Sequence, residues 1–268
     1  MCTEASERAH AIRELGLKRQ RADLPVFEAA LQDPDVAVRR IATRALGWLR
    51  HSSAVAGLLR MLSDPDHETR RWAAAGLALT QSAEAFDGLI AALCNDTQAP
   101  VRASAARSLG WLRLHDAHHA LFEVFLREEC GAVRGACLEA LIRLRASSVA
   151  KLLPRAVNDP AAGVRAHAAR ALQSYDTPQL TEALLSALDD PDPEVRVMSL
   201  RTIASRALPC LRVTCLNALR DPDPGVRAAA VIALDRVEDR STLPPLLAAL
   251  QDPHPEVRYH ARAVLGRD

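Results

Sequence analysis

Arginine and acidic residues recur together along this chain, and their regular spacing is the first feature that could support chemistry. Eight arginines follow one another at intervals of 31 or 32 residues, and each has an acidic residue six positions before it. The acidic residues are Asp33, Asp64, Asp96, Glu128, Asp159, Asp190, Asp221 and Asp252, and the arginines are Arg39, Arg70, Arg102, Arg134, Arg165, Arg196, Arg227 and Arg258. Such a row could in principle be catalytic, but eight equivalent active sites make no chemical sense, so we favour a structural role.

A second pattern places tryptophan beside arginine. One, five and nine residues after each of these arginines, the residue type varies, and steps of four residues put these positions on one ridge of a helix. The three tryptophans all fall at such variable positions or at the variable position two after the arginine. Tryptophan and arginine dominate binding hot spots. We expect a partner-binding surface made by Arg40, Arg44, Trp48, Arg71, Trp72, Arg107, Trp111, Arg170 and Arg201, the alternative being tryptophans packed between helices and a solvated arginine face.

Motifs of known enzyme chemistry are missing from the sequence. There is no glycine-rich phosphate loop, no G-x-S-x-G and no H-E-x-x-H, so we assign no catalytic residue and expect no cofactor and no metal. The nearby histidines His115, His118 and His119 fit a solvated turn better than a metal site. None of the six cysteines forms a C-x-x-C pair, which indicates free thiols in a reducing compartment.

The 31-residue period predicts the elements that carry these side chains. Each repeat holds a short apolar first helix, as at 24–31, 86–93 and 243–250, and a second helix such as 193–204. Asp-Pro suits a helix start, and the late glycines Gly16, Gly47, Gly110 and Gly266 are predicted to end the second helices. We count nine second helices and eight first helices. One hairpin cannot bury its own apolar face, so the hairpins must stack into a solenoid.

The pattern D-P-D-x-x-V-R-x-x-A-x-x-A-L-G resembles the HEAT-like repeats of the bacterial phycobilin lyase (PBS lyase) type over essentially the whole chain. The resemblance implies an all-α, right-handed α-α superhelix that forms one domain, 1–268. It also implies that the second helices line the concave face. Repeats of this kind use an Asp–Arg pair as a ladder, so the resemblance further implies that each guanidinium binds the acid of its own or the next repeat.

Composition narrows the choice of function. Lys+Arg is 34 and Asp+Glu is 33, so no basic excess points to nucleic acid. No apolar run is long enough to span a membrane, and we expect a cytoplasmic protein without a membrane partner. The leading hypothesis is a non-catalytic scaffold or adaptor whose concave face holds a protein or an acidic and apolar peptide. The alternatives are a bilin-lyase-like chaperone subunit, implied by the resemblance, and nucleic-acid binding along a concave arginine stripe. Val264 and Leu265 have no following helix to cover them, which makes the C-terminal helix a candidate oligomer contact.

Overall fold

Helices form all the regular structure that is described for this chain. The computed structural model describes residues 2–175, 178–237 and 239–266, which hold seventeen α-helices and no strands. The chain divides into two compact units, Met1–Val149 (unit 1) and Ala150–Asp268 (unit 2). Unit 1 contains α1 Cys2–Lys18, α2 Leu24–Ala30, α3 Val36–Trp48, α4 Val55–Met61, α5 His67–Thr80, α6 Phe86–Asn95, α7 Ala99–Trp111, α8 His118–Arg127 and α9 Gly131–Arg143. The helices that follow are α10 Val149–Ala156, α11 Ala162–Ala171, α12 Pro178–Ser186, α13 Pro193–Ser205, α14 Leu211–Ala218, α15 Pro224–Leu234, α16 Leu243–Ala249 and α17 Pro255–Leu265.

The odd-numbered helices are the second helices of the repeats, and they pack against one another in chain order within each unit. The even-numbered first helices contact mainly the second helix of their own repeat. That the second helices line a concave face stays a prediction. The predicted all-α solenoid of stacked hairpins is confirmed, whereas the single domain and the right-handed superhelix stay predictions.

The late glycines allow close packing rather than ending the helices. A Cβ atom at Gly47 would lie 2.9 Å from the Cα of Gly76 in the adjacent second helix, and one at Gly110 would lie 2.7 Å from the Cα of Ala140. Gly16, Gly47 and Gly110 all lie inside helices, so the prediction that they stop them was wrong. Gly266 does follow the end of α17 directly. The glycines are needed because the backbones of successive second helices touch there.

The second helices are followed instead by a residue in the left-handed conformation. It lies eleven positions after the periodic arginine of the repeat (the ladder arginine), which in the first repeat is Arg8. In six described repeats this residue has φ between 48° and 56°, and it is Arg19, Arg50, Gln81, Arg113, Arg145 or Ala207. None of these residues is glycine, although the left-handed region costs other residues roughly 1–2 kcal/mol. After Arg113, Arg145 and Ala207 the turn is closed by a backbone hydrogen bond to the carbonyl five residues earlier, as from Leu114 N to Leu109 O at 3.2 Å and from Leu208 N to Ile203 O at 3.2 Å. This closure is the Schellman pattern of helix ends.

Six of the ladder arginines are described with bonds to two repeats. Arg39 donates from Nη1 to the carbonyls of Asp33 and Pro34 in its own repeat, at 3.0 and 3.1 Å. Its Nε and Nη2 donate to the carboxylate of Asp64, in the next repeat, at 2.8 and 3.3 Å. The guanidinium therefore binds the carboxylate of the next repeat and the main chain of its own. The same two-sided bonding recurs at Arg70 with Asp96, Arg102 with Glu128, Arg165 with Asp190, Arg196 with Asp221 and Arg227 with Asp252.

The ladder carboxylates also set where each second helix begins. Asp64 Oδ1 accepts the backbone N–H of Asp66 at 2.8 Å, and Asp66 then caps α5 by accepting from Thr69 N at 2.8 Å. Asp159 accepts from Ala161 N in the same way, at 2.9 Å. Arg134 and Arg258 likewise donate to carbonyls six residues earlier, of Glu128 and Asp252. A first repeat precedes Arg39, because Arg8 binds Asp33 at 2.8 Å.

Alanine at Gly47 should destabilise the protein by about 1–3 kcal/mol, because the new methyl group forces two packed helices apart. Gly163 is the matched control, since nothing lies within 4 Å of a Cβ atom built there. Gly163→Ala should be neutral or stabilising, because alanine is the better helix former. Urea unfolding followed by circular dichroism measures both variants. Equal midpoints for the two would contradict the close approach of α3 and α5.

Replacing Arg165 by alanine should cost about 1–3 kcal/mol at pH 7, because the largely buried carboxylate of Asp190 loses two donors. The bond from Arg165, opposed by burial and aided by the N–H of Asp192, holds the pKa of Asp190 below its usual range. Because the pKa of Asp190 in the folded protein lies below its value of about 4 in the unfolded chain, the ionised carboxylate stabilises the fold at higher pH. This stabilisation is lost as the pH falls through the folded pKa, so the penalty for removing Arg165 should shrink in acid.

The control for this variant is Arg212→Ala, which breaks a pair with Asp239 whose side chains are 46% and 45% exposed. Exposed pairs contribute little, so its urea midpoint should stay near that of the wild type. Urea unfolding at pH 7 and pH 3 compares the two. A loss for Arg165→Ala that is as large at pH 3 as at pH 7, or that Arg212→Ala matches, would refute the assigned role.

Candidate functional site

The tryptophans of α3 and α5 meet around one guanidinium. The Cζ atom of Arg44 lies 5.1 Å from the ring centre of Trp48 and 4.5 Å from that of Trp72. Arg71 covers Trp72 as well, with its Cζ 4.4 Å from the ring centre. These four side chains, the Trp–Arg cluster, link two successive second helices through cation–π contacts. All four are half-buried, so the cluster lies at the surface and is not packed inside the core.

Arg44 is held by ring faces and not by carboxylates. Its Nε atom is buried and has no hydrogen-bond partner among the described residues. Stacking on an indole fixes the plane of a guanidinium but uses none of its N–H donors. The Nε–H of Arg44 is closed off from solvent, so only the Nη groups of this cation could donate to another molecule.

Two of the arginines predicted to bind a partner are engaged by acids of the protein itself. Arg40 donates from Nε and Nη2 to Asp66 at 2.7 and 2.6 Å, so it forms a further link between repeats. The bond from Arg40, opposed by burial and aided by Thr69, holds the pKa of Asp66 far below its usual range. Arg71 donates from Nη2 to Glu68 at 2.7 Å. The charges of Arg40 and Arg71 are thus neutralised locally.

Trp111 belongs to a second aromatic group on α7 and α9. Its side chain is 56% exposed, and the Cζ of Arg143 lies 3.8 Å from its ring centre. Arg143 also donates to Glu139 at 3.1 Å. Arg107, one turn before Trp111, is exposed and has no ion pair among the described residues. Sequence reasoning omitted Arg143 from the site, although it occupies in its repeat the same position as Trp111 in the preceding one.

Two parallel rows follow from these positions on α1, α3, α5 and α7. Nine residues after the ladder arginine, the row is apolar: Leu17, Trp48, Leu79 and Trp111. Five residues after it, one helical turn away, the row is Arg13, Arg44, Ala75 and Arg107. The surface of unit 1 thus sets a cationic row beside an apolar row, with Leu17 and Trp111 more than half exposed.

Arg170 and Arg201 lie in unit 2, on α11 and α13, and do not belong to the Trp–Arg cluster. Both are exposed. They line a cleft of about 560 Å³ together with Arg236, which follows the end of α15. Arg236 was not among the residues predicted to bind a partner.

The remaining candidate residues are histidines and cysteines. No three His, Cys, Asp or Glu side chains in the described part of the chain come together to hold a metal ion. The five cysteines with described side chains are free thiols. Burial raises the pKa of Cys137 and, to about 12, that of Cys215, so neither is a ready nucleophile. Within the described residues, none of the helices has the length and apolar content to cross a bilayer.

Comparison with known proteins agrees with this architecture. Among solved structures, the chain is similar to YibA of E. coli, with 21% identity, 97% of this chain and 96% of that chain covered, and a TM-score of 0.66. It is also similar to the complex of CpcE and CpcF of phycocyanin lyase from Nostoc sp. PCC7120, with 23% identity, 91% and 93% covered, and a TM-score of 0.55. No curated protein gives a significant match.

At these identities the two structures support the fold alone. The family model for HEAT repeats matches residues 2–78, 55–142, 149–213 and 213–267. These matches extend over nearly the whole sequence, and they agree with the repeat pattern and with the stacked hairpins. The chain therefore belongs to the HEAT repeat family.

Proposed function

We propose that this protein is a non-catalytic scaffold that holds an extended protein segment across the second helices of unit 1. The observation that carries the proposal is the guanidinium of Arg44, which lies against Trp48 and Trp72 and has no ion pair among the described residues. A fixed guanidinium binds a carboxylate through a forked pair of hydrogen bonds. The neighbouring indoles supply apolar contact area at a small cost in side-chain entropy.

The two rows of unit 1 define the chemistry of the segment. Carboxylates would face Arg13, Arg44 and Arg107, and apolar side chains would face the row that includes Trp48 and Trp111. Adjacent helices lie about 10 Å apart, and an extended chain advances about 3.3 Å per residue. A bound segment would therefore present an apolar side chain about every three residues, and an acidic side chain at the same interval except opposite Ala75, where the cationic row is interrupted.

Local neutralisation argues for a peptide over nucleic acid. Arg40 and Arg71, which lie on the same helices as the two rows, are paired with Asp66 and Glu68. Acidic side chains therefore interrupt the positive charge of this surface. A phosphate backbone requires a continuous basic track, and the whole chain carries a net charge of only +1. A segment with spaced carboxylates has no such requirement.

Selection from a random peptide library against the full chain tests the proposal. The selected peptides should carry apolar residues at intervals of about three, and acidic residues at intervals of about three and about six. Trp111→Ala should weaken their binding by about 2 kcal/mol or more, because it removes an exposed aromatic anchor. Tyr259→Ala is the matched control, since Tyr259 is an aromatic on a second helix of unit 2 that is 67% exposed. Its peptide affinity should equal that of the wild type.

Two outcomes would overturn the proposal. A single-stranded oligonucleotide that binds more tightly than the selected peptides, with an affinity that falls steeply with salt and is unchanged in Trp111→Ala, would indicate nucleic acid held along the arginines. A chain that selects no peptide but changes the absorbance of a free bilin would indicate the bilin-lyase-like alternative. Thermal unfolding of each variant confirms that a loss of binding is not a loss of fold.

A further inference from the structure

The cleft of unit 2 gathers three arginines without acids. It has a volume of about 560 Å³, and its lining includes Arg170, Arg201 and Arg236. These arginines come from three successive repeats, on α11, α13 and the end of α15. No acidic residue lines the cleft, and Asp235, which precedes Arg236 in the chain, is not part of the lining.

The contacts of these arginines leave their charge uncompensated. Arg170 approaches the Nδ1 of His167 at 3.5 Å, and Arg236 donates to the carbonyl of Ala204 at 3.5 Å. Among the described residues no carboxylate forms an ion pair with Arg170, Arg201 or Arg236. The ladder arginines of unit 2 differ in this respect, since Arg165, Arg196 and Arg227 each bind a carboxylate of the next repeat. Three guanidinium groups thus border one space with a local charge of about +3.

The remaining lining of the cleft is mainly apolar. Met198 is half-buried, and Ile232 is exposed by 41%, which is unusual for isoleucine in a folded protein. Both line the cleft beside the arginines. The volume lies within the range of ordinary small-ligand sites, roughly 300–1,000 Å³. The site therefore combines a strongly cationic part with a small apolar surface.

We propose that this cleft binds a phosphate monoester attached to an apolar group. A phosphate monoester carries a charge of about −1.5 to −2 near neutral pH and has three acceptor oxygens, which suits several guanidinium forks. A single carboxylate offers one charge and two oxygens, and would leave most of the positive charge uncompensated. Met198 and Ile232 would contact the group that bears the phosphate. A phosphorylated side chain and a small phosphorylated metabolite share this chemistry.

Calorimetric titration of the full chain with phenyl phosphate tests the site. Phenyl phosphate should bind about tenfold or more tightly than benzoate at the same ionic strength, because more charged hydrogen bonds form. Arg201→Gln should weaken phenyl phosphate binding by about tenfold or more. Arg201→Lys should recover part of the affinity, since it keeps the charge but loses the fork. Arg262→Gln is the matched control: Arg262 is an exposed arginine of α17 outside the cleft, and its loss should leave the affinity unchanged.

Ile232→Ser tests the apolar part separately. The wild type should prefer phenyl phosphate to inorganic phosphate, and this variant should lose the preference while it keeps its affinity for inorganic phosphate. A phosphotyrosine peptide that binds more tightly than phenyl phosphate would assign the ligand to a protein, and equal affinities would assign it to a small molecule.

Three results would overturn the proposal: no binding of phenyl phosphate, equal binding of benzoate, or an equal loss in Arg262→Gln and Arg201→Gln. The last would mean that diffuse surface charge and not the cleft attracts the anion. Trp111→Ala, which alters unit 1 only, should bind phenyl phosphate as the wild type does, so this test is independent of peptide binding.

Discussion

The ladder guanidinium is the interaction on which the rest of the structure depends. One side of Arg39 binds carbonyl groups of its own repeat, and the other side binds the carboxylate of Asp64 in the next. That carboxylate in turn accepts the N–H that precedes the second helix of its repeat. A single side chain therefore fixes the distance between repeats and the position at which a helix begins. With the helix starts fixed, the small residues further along, such as Gly47 against Gly76, can bring the backbones into contact.

The same residue type performs three tasks in this chain, and its surroundings decide which. Where a carboxylate of the next repeat is in reach, arginine is structural, as Arg40 is with Asp66. Where indoles flank it, as at Arg44, the guanidinium is fixed in place but keeps its donors. Where neither is near, as at Arg201, the charge remains open to solvent and to ligands. A near-zero net charge thus hides distinct local cations that composition alone does not reveal.

The sequence predicted what is periodic and missed what depends on the neighbouring repeat. The helices, their order and the repeat length follow from spacing, since a buried face must recur at fixed intervals. The role of Gly47 was mistaken because glycine marks helix ends in most proteins, and the contact with Gly76 becomes visible only when two repeats are stacked. Arg40 was assigned to the surface because its partner, Asp66, is 26 residues away in the sequence. Arg143 was detectable from its position nine after Arg134, but no tryptophan of its own repeat drew attention to it.

Function in such a chain belongs to the positions that the ladder and the core leave free. In unit 1 the position nine after the ladder arginine carries Leu17, Trp48, Leu79 and Trp111 and, on α9, Arg143, and in unit 2 the same position carries Ser174, Ser205 and Arg236. The backbone scaffold is the same in both units, so the difference in surface chemistry comes from these residues alone. Apolar side chains beside spaced cations favour an extended segment, whereas clustered cations around a small cleft favour a compact anion. One type of repeat can therefore hold two ligands of different chemistry at different places in the chain. Stability constrains the ladder and core positions of the repeat, and binding depends on the variable positions.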